Sequence, residues 1–263
     1  MSTLDLLRPQ PGLRVLVTAG AAGIGAAIAC AFAEAGARVH VCDVDRSALD
    51  RLATEAPGIS SSVADVAIEK DVHVVFDDVL NTLGGLDVLV NNAGVAGPTG
   101  AIEGMDAGHW ERTVAVNLNS QFLFARQAVP LLKASRSNPC IVAMSSVAGR
   151  LGYAYRTPYA STKWAIVGMT KSLAIELGPQ GVRANAILPG TVEGARMEDV
   201  IAARASTLGV SVEAMRWEYV RKSSLRRMVT AEDVAALALY LCSPAARNVT
   251  GQAISVDGNI EYL

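Results

Sequence analysis

Little in this sequence is charged, aromatic or paired through sulfur. Of its 263 residues 18% are Asp, Glu, Lys or Arg, 5% are aromatic and 51% are hydrophobic, with a formal net charge of -2. A chain so composed buries a large core as one enzyme-sized domain. Its basic residues are scattered, so no stripe offers itself to a phosphate backbone or an anionic lipid surface. Neither nucleic acid nor a membrane is expected as a partner. Cys30, Cys42, Cys140 and Cys242 lie far apart, which argues against a zinc ribbon, a redox Cys-x-x-Cys pair and a disulfide framework. His40, His73 and His109 form no ligand-spaced motif, and no metal is expected. No uncharged run reaches membrane-spanning length, and the opening MSTLDLLRPQPGLR carries charges and prolines where a secretory signal needs an apolar stretch. The expectation is a cytoplasmic protein with reduced thiols.

What the sequence does contain is a rhythm. Short runs rich in Val and Ile, near residues 14–18, 38–42, 60–64, 87–91, 139–144, 183–187 and 253–256, alternate with longer segments rich in Ala and Leu. Strands that are apolar on both sides and separated by helices build an α/β, doubly wound parallel sheet covered on both faces. Its ligands bind beyond the carboxyl ends of the strands. No long Pro, Gly or Ser linker divides the chain, so residues 1–263 read as a single domain. One charged, helical excursion, at about 193–227, interrupts the alternation and is a candidate lid over the substrate.

After the first strand comes Thr18-Ala19-Gly20-Ala21-Ala22-Gly23-Ile24-Gly25, opening a helix. Glycines at Gly20, Gly23 and Gly25 allow a tight turn and let a diphosphate approach the positive end of that helix. The second strand ends at Asp43, 18 positions after Gly25, where a dinucleotide fold places a carboxylate against the adenosine ribose hydroxyls. The same carboxylate repels a 2′-phosphate by roughly 1 to 4 kcal/mol near a protein surface. NAD is therefore favoured over NADP. Two alternatives stand beside this reading: Asp43 as an ordinary loop acid paired with Arg46, or Arg46 turned toward a 2′-phosphate.

The segment from Ser145 to Lys163 carries the chemistry. Thr157 is read as a helix N-cap and Pro158 as the first helical residue, which places Tyr159 in the first turn and Lys163 one turn along the same face. A phenol titrates near pH 10 when unperturbed. A neighbouring ammonium and a helix N-terminus both favour its ionised form. Tyr159 is thus a candidate acid and base toward a carbonyl or alcohol oxygen, and Ser146, thirteen residues upstream at a strand end, a candidate donor to the same oxygen.

Taken together, Thr18 to Gly25, Asn91-Asn92-Ala93-Gly94, Ser146, Tyr159 to Lys163 and Pro189-Gly190 resemble the short-chain dehydrogenase/reductase family, from about residue 12 to 260. The resemblance implies a Rossmann-type sheet and an NAD(H)-dependent oxidoreductase that interconverts a secondary alcohol and a ketone. It implies that Asn92, Ala93 and Gly94 pass beside the adenosine half of the cofactor, that Asp65 and Val66 meet the adenine, and that Ile24 and Val192 flank the cofactor. Asn117 would hold a water linking Lys163 to solvent, completing a proton relay with Ser146 and Tyr159, while Lys163 also holds the nicotinamide ribose. It implies, further, a homotetramer or dimer built through the two long helices that include Asn117 and Tyr159.

Two positions depart from the family pattern. Ala19 stands where the first motif glycine belongs, so the turn is expected to take a slightly different path. Gly194 replaces a threonine that contacts the cofactor, a contact expected to be lost or taken over by Thr191 or backbone. Arg150, Tyr153, Tyr155, Arg156, Glu193, Arg196 and Trp217 are compatible with a hydroxylated or carboxylated small molecule, or else solvate loops and pair with Glu193, Glu198 or Glu218. The competing functions are a silent dinucleotide-binding sensor or scaffold, an NADP-dependent 3-oxoacyl reductase, and a methyltransferase on a related fold. The first is disfavoured by the presence of Asn117, Ser146, Tyr159 and Lys163 together. The Tyr and Lys spacing and the ribose Asp disfavour the methyltransferase.

Overall fold

Seven short runs become seven parallel strands: those at 88–91, 140–144 and 183–189 are buried throughout, whereas the edge runs at 60–63, which is Ser-Ser-Ser-Val, and 253–256 stay partly exposed. In the computed structural model, which describes residues 2–261, α1 (Thr3–Leu6) precedes β1 (Arg14–Thr18). Then α2 (Gly23–Glu34), β2 (Arg38–Asp43), α3 (Arg46–Glu55), β3 (Ser60–Val63), α4 (Glu69–Leu83) and β4 (Val88–Asn91) alternate. Helices α5 (Ala107–Val114) and α6 (Ser120–Ala134), joined by a π turn over Ala115–Asn119, lead to β5 (Cys140–Met144). The order continues with α7 (Thr157–Leu177), β6 (Arg183–Pro189), α8 (Ala195–Leu208), α9 (Val212–Arg221), α10 (Ala231–Leu241) and β7 (Ala253–Val256). Met1, Tyr262 and Leu263, at the ends of the expected 1–263 unit, lie outside the described residues. Among the described residues no helix is long and apolar enough to cross a membrane.

The sheet order is β3-β2-β1-β4-β5-β6-β7, with every neighbour parallel. Successive side chains point to opposite faces. Val15, Val17, Val88, Val90 and Val142 accordingly enter a core beneath α2, α3 and α10. Leu16, Leu89 and Ile141 enter a second core beneath α4, α6 and α7. Fully burying one such aliphatic side chain stabilises the fold by about 1.5 to 3 kcal/mol. The order reverses between β1 and β4, and the crevice beyond their carboxyl ends is where a doubly wound sheet takes its ligand.

Three local readings need correction. The N-cap of α7 is Arg156 and not Thr157, which is already helical. Pro158 lacks an N–H and suits any position of a first turn, so it does not locate the cap to the residue. Asn117 sits in a π turn rather than a regular α-helix, an irregularity that its apolar flanks do not reveal. Strand β6 runs two residues past its expected end, to Pro189, because β7 continues to pair with it there.

His40, on β2, is buried between two serines: Nδ1 lies 2.8 Å from Ser60 Oγ, and Nε2 lies 2.8 Å from Ser62 Oγ, which donates to Asp78. Burial pushes the imidazole down to about 4, with Asp78 opposing. Between that value and 6.5 the unfolded chain binds a proton that the folded chain refuses, so stability falls as pH falls through this window. Urea midpoints taken from pH 6.5 to 4 should show the wild type losing on the order of 3 kcal/mol relative to His40→Gln. Parallel losses in the two proteins would contradict a neutral His40.

Candidate active site

The carboxyl ends of β1, β4 and β5 are tied to one another before any ligand arrives. Thr18 Oγ1 accepts the main-chain N–H groups of Asn92 and Ala93, each at 2.9 Å. Asn92 Nδ2 returns bonds to the carbonyls of Thr18 and Ala19, both at 3.0 Å. These bonds hold Ala19 in a left-handed conformation, φ 49°, which costs a residue with a Cβ roughly 1 to 2 kcal/mol. The turn therefore keeps the backbone path of a glycine despite the substitution. At Gly25 a Cβ would strike the Ala19 carbonyl and Asn92, so only glycine lets the helix start so close to the turn.

Helix α2 begins at Gly23 with Ala22 as an N-cap that has no side-chain oxygen to offer. Its first N–H groups are left facing the crevice, a positive end suited to an anion such as a diphosphate. Asp43, at the end of β2, turns its carboxylate to the same loop: Oδ2 accepts from Ala21 N at 3.1 Å and Oδ1 from Asp45 N at 3.1 Å. Arg46 pairs instead with Asp50, one turn along α3, and does not neutralise Asp43. Asp65 accepts from Ala67 N and pairs with Arg112 at 2.8 Å, with Val66 buried beside it. Ile24 and Val192 both border the first core, and Gly190 is pressed against Asp257 just beyond Pro189. The turn thus presents an uncapped helix end beside the Asp43 carboxylate, with no space for a Cβ at Gly20 or Gly25 and a left-handed φ of 53° at Gly23. That donor set fits a dinucleotide.

Across the crevice lies Lys163, 4% exposed, whose Nζ donates to the Met144 carbonyl at 2.9 Å. The same ammonium is 5.6 Å from the ring centre of Tyr159. Burial, followed by the charge of Arg196, pushes Lys163 down to about 7. The spacing of Tyr159 and Lys163 does not convey this, because it says nothing of how much water reaches the amine. Asn117 is fully buried: Oδ1 accepts from Val95 N at 2.7 Å, and Nδ2 donates to Val95 O and Thr162 Oγ1. A Cβ on Gly94 would lie 3.4 Å from both Asn117 Oδ1 and Lys163 Nζ, so this glycine brings the β4 loop between them. Ser145 Oγ donates to the Lys163 carbonyl at 2.7 Å and locks β5 to α7. Ser146 opens the 3₁₀ turn Val147–Gly149, which packs on α7, and its Oγ accepts from Ala148 N at 3.2 Å. Its own hydroxyl hydrogen remains free to donate.

Some expected pocket residues lie elsewhere. Arg150 binds Ser255, Asp257 at 2.7 Å and the Ile260 carbonyl, so it clamps the C-terminal segment instead of lining a pocket. Glu198 pairs with Arg216 and Glu218 with Arg221, within the helical excursion itself. Helices α8 and α9 form a small core from Ile201, Ala205, Met215 and Tyr219, joined by Met228 from the segment after α9. Gly194 takes φ 134°, a conformation closed to threonine without strain. Arg156, expected either to face a polar substrate or to solvate a loop, is 7% exposed and lies against Tyr159, which excludes loop solvation. Among the described residues no group of His, Cys, Asp and Glu is arranged to hold a metal ion.

Comparison with known proteins agrees with this geometry. A family model described as enoyl-(acyl carrier protein) reductase matches residues 19–259. The chain is 36% identical to 2-(S)-hydroxypropyl-CoM dehydrogenase 3 of Xanthobacter autotrophicus, over 95% of this chain and 96% of that one. It is 34% identical to L-fucose dehydrogenase of Bos taurus, over 95% and 90% respectively. The structure superposes on an actinorhodin polyketide ketoreductase solved with NADPH at a TM-score of 0.91 and 30% identity, covering 99% of each chain. With its parallel sheet, its glycine turn and its Tyr159-Lys163 pair in place, the chain belongs to the short-chain dehydrogenase/reductase family.

Proposed function

We propose that this protein is an NAD(H)-dependent oxidoreductase that interconverts a secondary alcohol and a ketone, with Tyr159 as its acid and base. The observation that carries the reading is the buried Lys163 ammonium beside the Tyr159 ring, at the edge of the sheet that also holds the uncapped glycine turn. Relatives named as dehydrogenases of a hydroxypropyl compound and of a sugar support an alcohol as substrate.

Gly20, Gly23, Ile24 and Gly25 would hold the diphosphate, Asp43 the adenosine ribose, and Asp65 and Val66 the adenine. Asn92, Ala93, Gly94, Pro189, Gly190 and Val192 would line the remaining length, with Tyr159 and Lys163 on the nicotinamide ribose. The nicotinamide, when bound, accepts or supplies the hydride. In ketone reduction Tyr159 gives its phenolic proton to the carbonyl oxygen, and in alcohol oxidation it takes the proton back. Ser146 donates its free hydrogen to the same oxygen as charge gathers there. Lys163 has three donors and spends one on Met144, leaving two for the ribose and for proton traffic. Burial makes its proton easy to move near neutrality, and as an ammonium it stabilises negative charge on the Tyr159 oxygen. Val95 and Thr162 take both donors and one acceptor site of the Asn117 side chain, so a relay water here would rely on its main chain or the one remaining lone pair.

Asp43 supports NAD: among the described residues its carboxylate stands at the turn without a basic partner, and a 2′-phosphate would meet it at a cost of roughly 1 to 4 kcal/mol. Exposed Phe122, Trp164 and Ile175 on α6 and α7 support a homo-oligomer built through those helices. The excursion of α8 and α9 serves as the substrate lid.

Tyr159→Phe should keep the NADH dissociation constant within about threefold while kcat falls by a factor of roughly a hundred to ten thousand. Unchanged turnover would remove the proposed role of the phenol. Fluorescence titration of Asp43→Asn with NADH and NADPH should narrow the wild-type preference for NADH by about tenfold. A wild type that prefers NADPH would refute the assignment of Asp43.

A further inference from the structure

The groups around Tyr159 are out of charge balance. The Arg156 side chain turns inward from the start of α7, and its guanidinium lies 5.2 Å from the ring centres of both Tyr153 and Tyr159. Nη2 donates to the Ala96 carbonyl at 2.8 Å, whereas Nε is buried without a hydrogen-bond partner. Among the described residues no carboxylate forms an ion pair with it. A guanidinium stays charged at every pH a folded protein tolerates. Two aromatic faces return less than its removal from water costs, so a buried arginine ordinarily comes with an acid.

The helical excursion adds more positive charge. Arg196 Nη1 donates to the Gly94 carbonyl at 3.1 Å. Arg204 donates to the Tyr219 hydroxyl at 3.2 Å, which in turn lies 3.5 Å from the Tyr153 hydroxyl. Neither arginine is in an ion pair among the described residues, and the exposed Glu193 pairs with neither. Arg156, Arg196 and Lys163 therefore gather at one end of the crevice, with Arg204 farther out, where Glu218 shares its surroundings, in a chain whose net charge is -2. Such a concentration draws in and orients an anion.

We infer that Arg156 is the seat for a carboxylate carried by the substrate close to the carbon that exchanges hydride. The planar fork of a guanidinium matches a carboxylate, and the bound anion supplies the counter-charge that the protein withholds. Arg196 and Arg204 stand as the outer attractors, with Arg156 as the residue that selects. This rests on the reading that Tyr159 marks the substrate end of the crevice.

Pyruvate, acetoacetate and levulinate set a carboxylate at successively greater distances from a ketone, and the methyl ester of each is its neutral counterpart. Affinities are read by calorimetry on the full chain in the presence of NAD⁺, which cannot reduce a ketone, and turnover by nicotinamide absorbance with NADH. The wild type should bind at least one acid about tenfold or more tighter than its ester. Arg156→Gln should bring that ratio near one and leave the ester's affinity within about threefold, while Arg156→Lys should restore part of it. Equal or tighter binding of all three esters by the wild type would overturn the inference, and so would an acid preference that survives Arg156→Gln. The wild-type comparison needs no variant, so a Gln substitution that failed to fold would leave the test intact. Acid binding that Arg156→Gln abolishes, with no turnover of any ketone, would sustain the anion seat while sinking the hydride-transfer reading.

Discussion

A lysine ammonium held away from water is the constraint on which the rest of this site depends. Lys163 gives one bond to the Met144 carbonyl, its own carbonyl takes one from Ser145, and its side chain runs past Tyr159 toward Gly94 and Asn117. The end of β5, the first turns of α7, the loop after β4 and the π turn before α6 thus all meet at one nitrogen. An amine in that position loses the solvation that keeps an exposed lysine charged, and its proton becomes mobile near neutrality. A surface lysine at the same spacing from a tyrosine would screen charge and do little else.

The second half of the crevice works by geometry more than by charge. Thr18, Asn92 and Ala19 hold the glycine turn in place with side-chain and main-chain bonds, so the positive end of α2 is presented already formed. Asp43 is fixed by two main-chain N–H groups and offers its remaining lone pairs outward. The two halves join where the sheet order reverses. Beyond Tyr159, α8 and α9 pack on each other through their own small core, with Arg196 reaching the Gly94 carbonyl and Tyr219 meeting Tyr153.

Most of the fold was legible because a parallel sheet buries both of its faces. Every expected strand is found within a residue or two, since short Val- and Ile-rich runs between helices have few other destinations, and the serine-rich β3 follows from its place in the alternation. The site motifs were legible for a related reason: Tyr159 and Lys163 share a helix, and their spacing alone sets them on one face. What could not be read depends on contacts between distant segments. Arg150 and Arg156 are six positions apart and look alike in sequence, yet one reaches Asp257 and the other turns between Tyr153 and Tyr159. The burial of Lys163 and the π turn at Asn117 are likewise set by how β4, α6 and α7 meet. Even the cap of α7 was displaced by one residue, because Pro158 fits anywhere in a first turn.

The protonation of Lys163 Nζ can be followed directly, by selective ¹⁵N labelling of lysine and NMR titration of the protein without dinucleotide, with Lys163→Met to assign the resonance. The expected transition is centred at about 7, set apart from the other lysines. A Lys163 that titrates near 10.5 with the exposed lysines would contradict it, for the amine would then be solvated and the arrangement built around it would have no special chemistry to support.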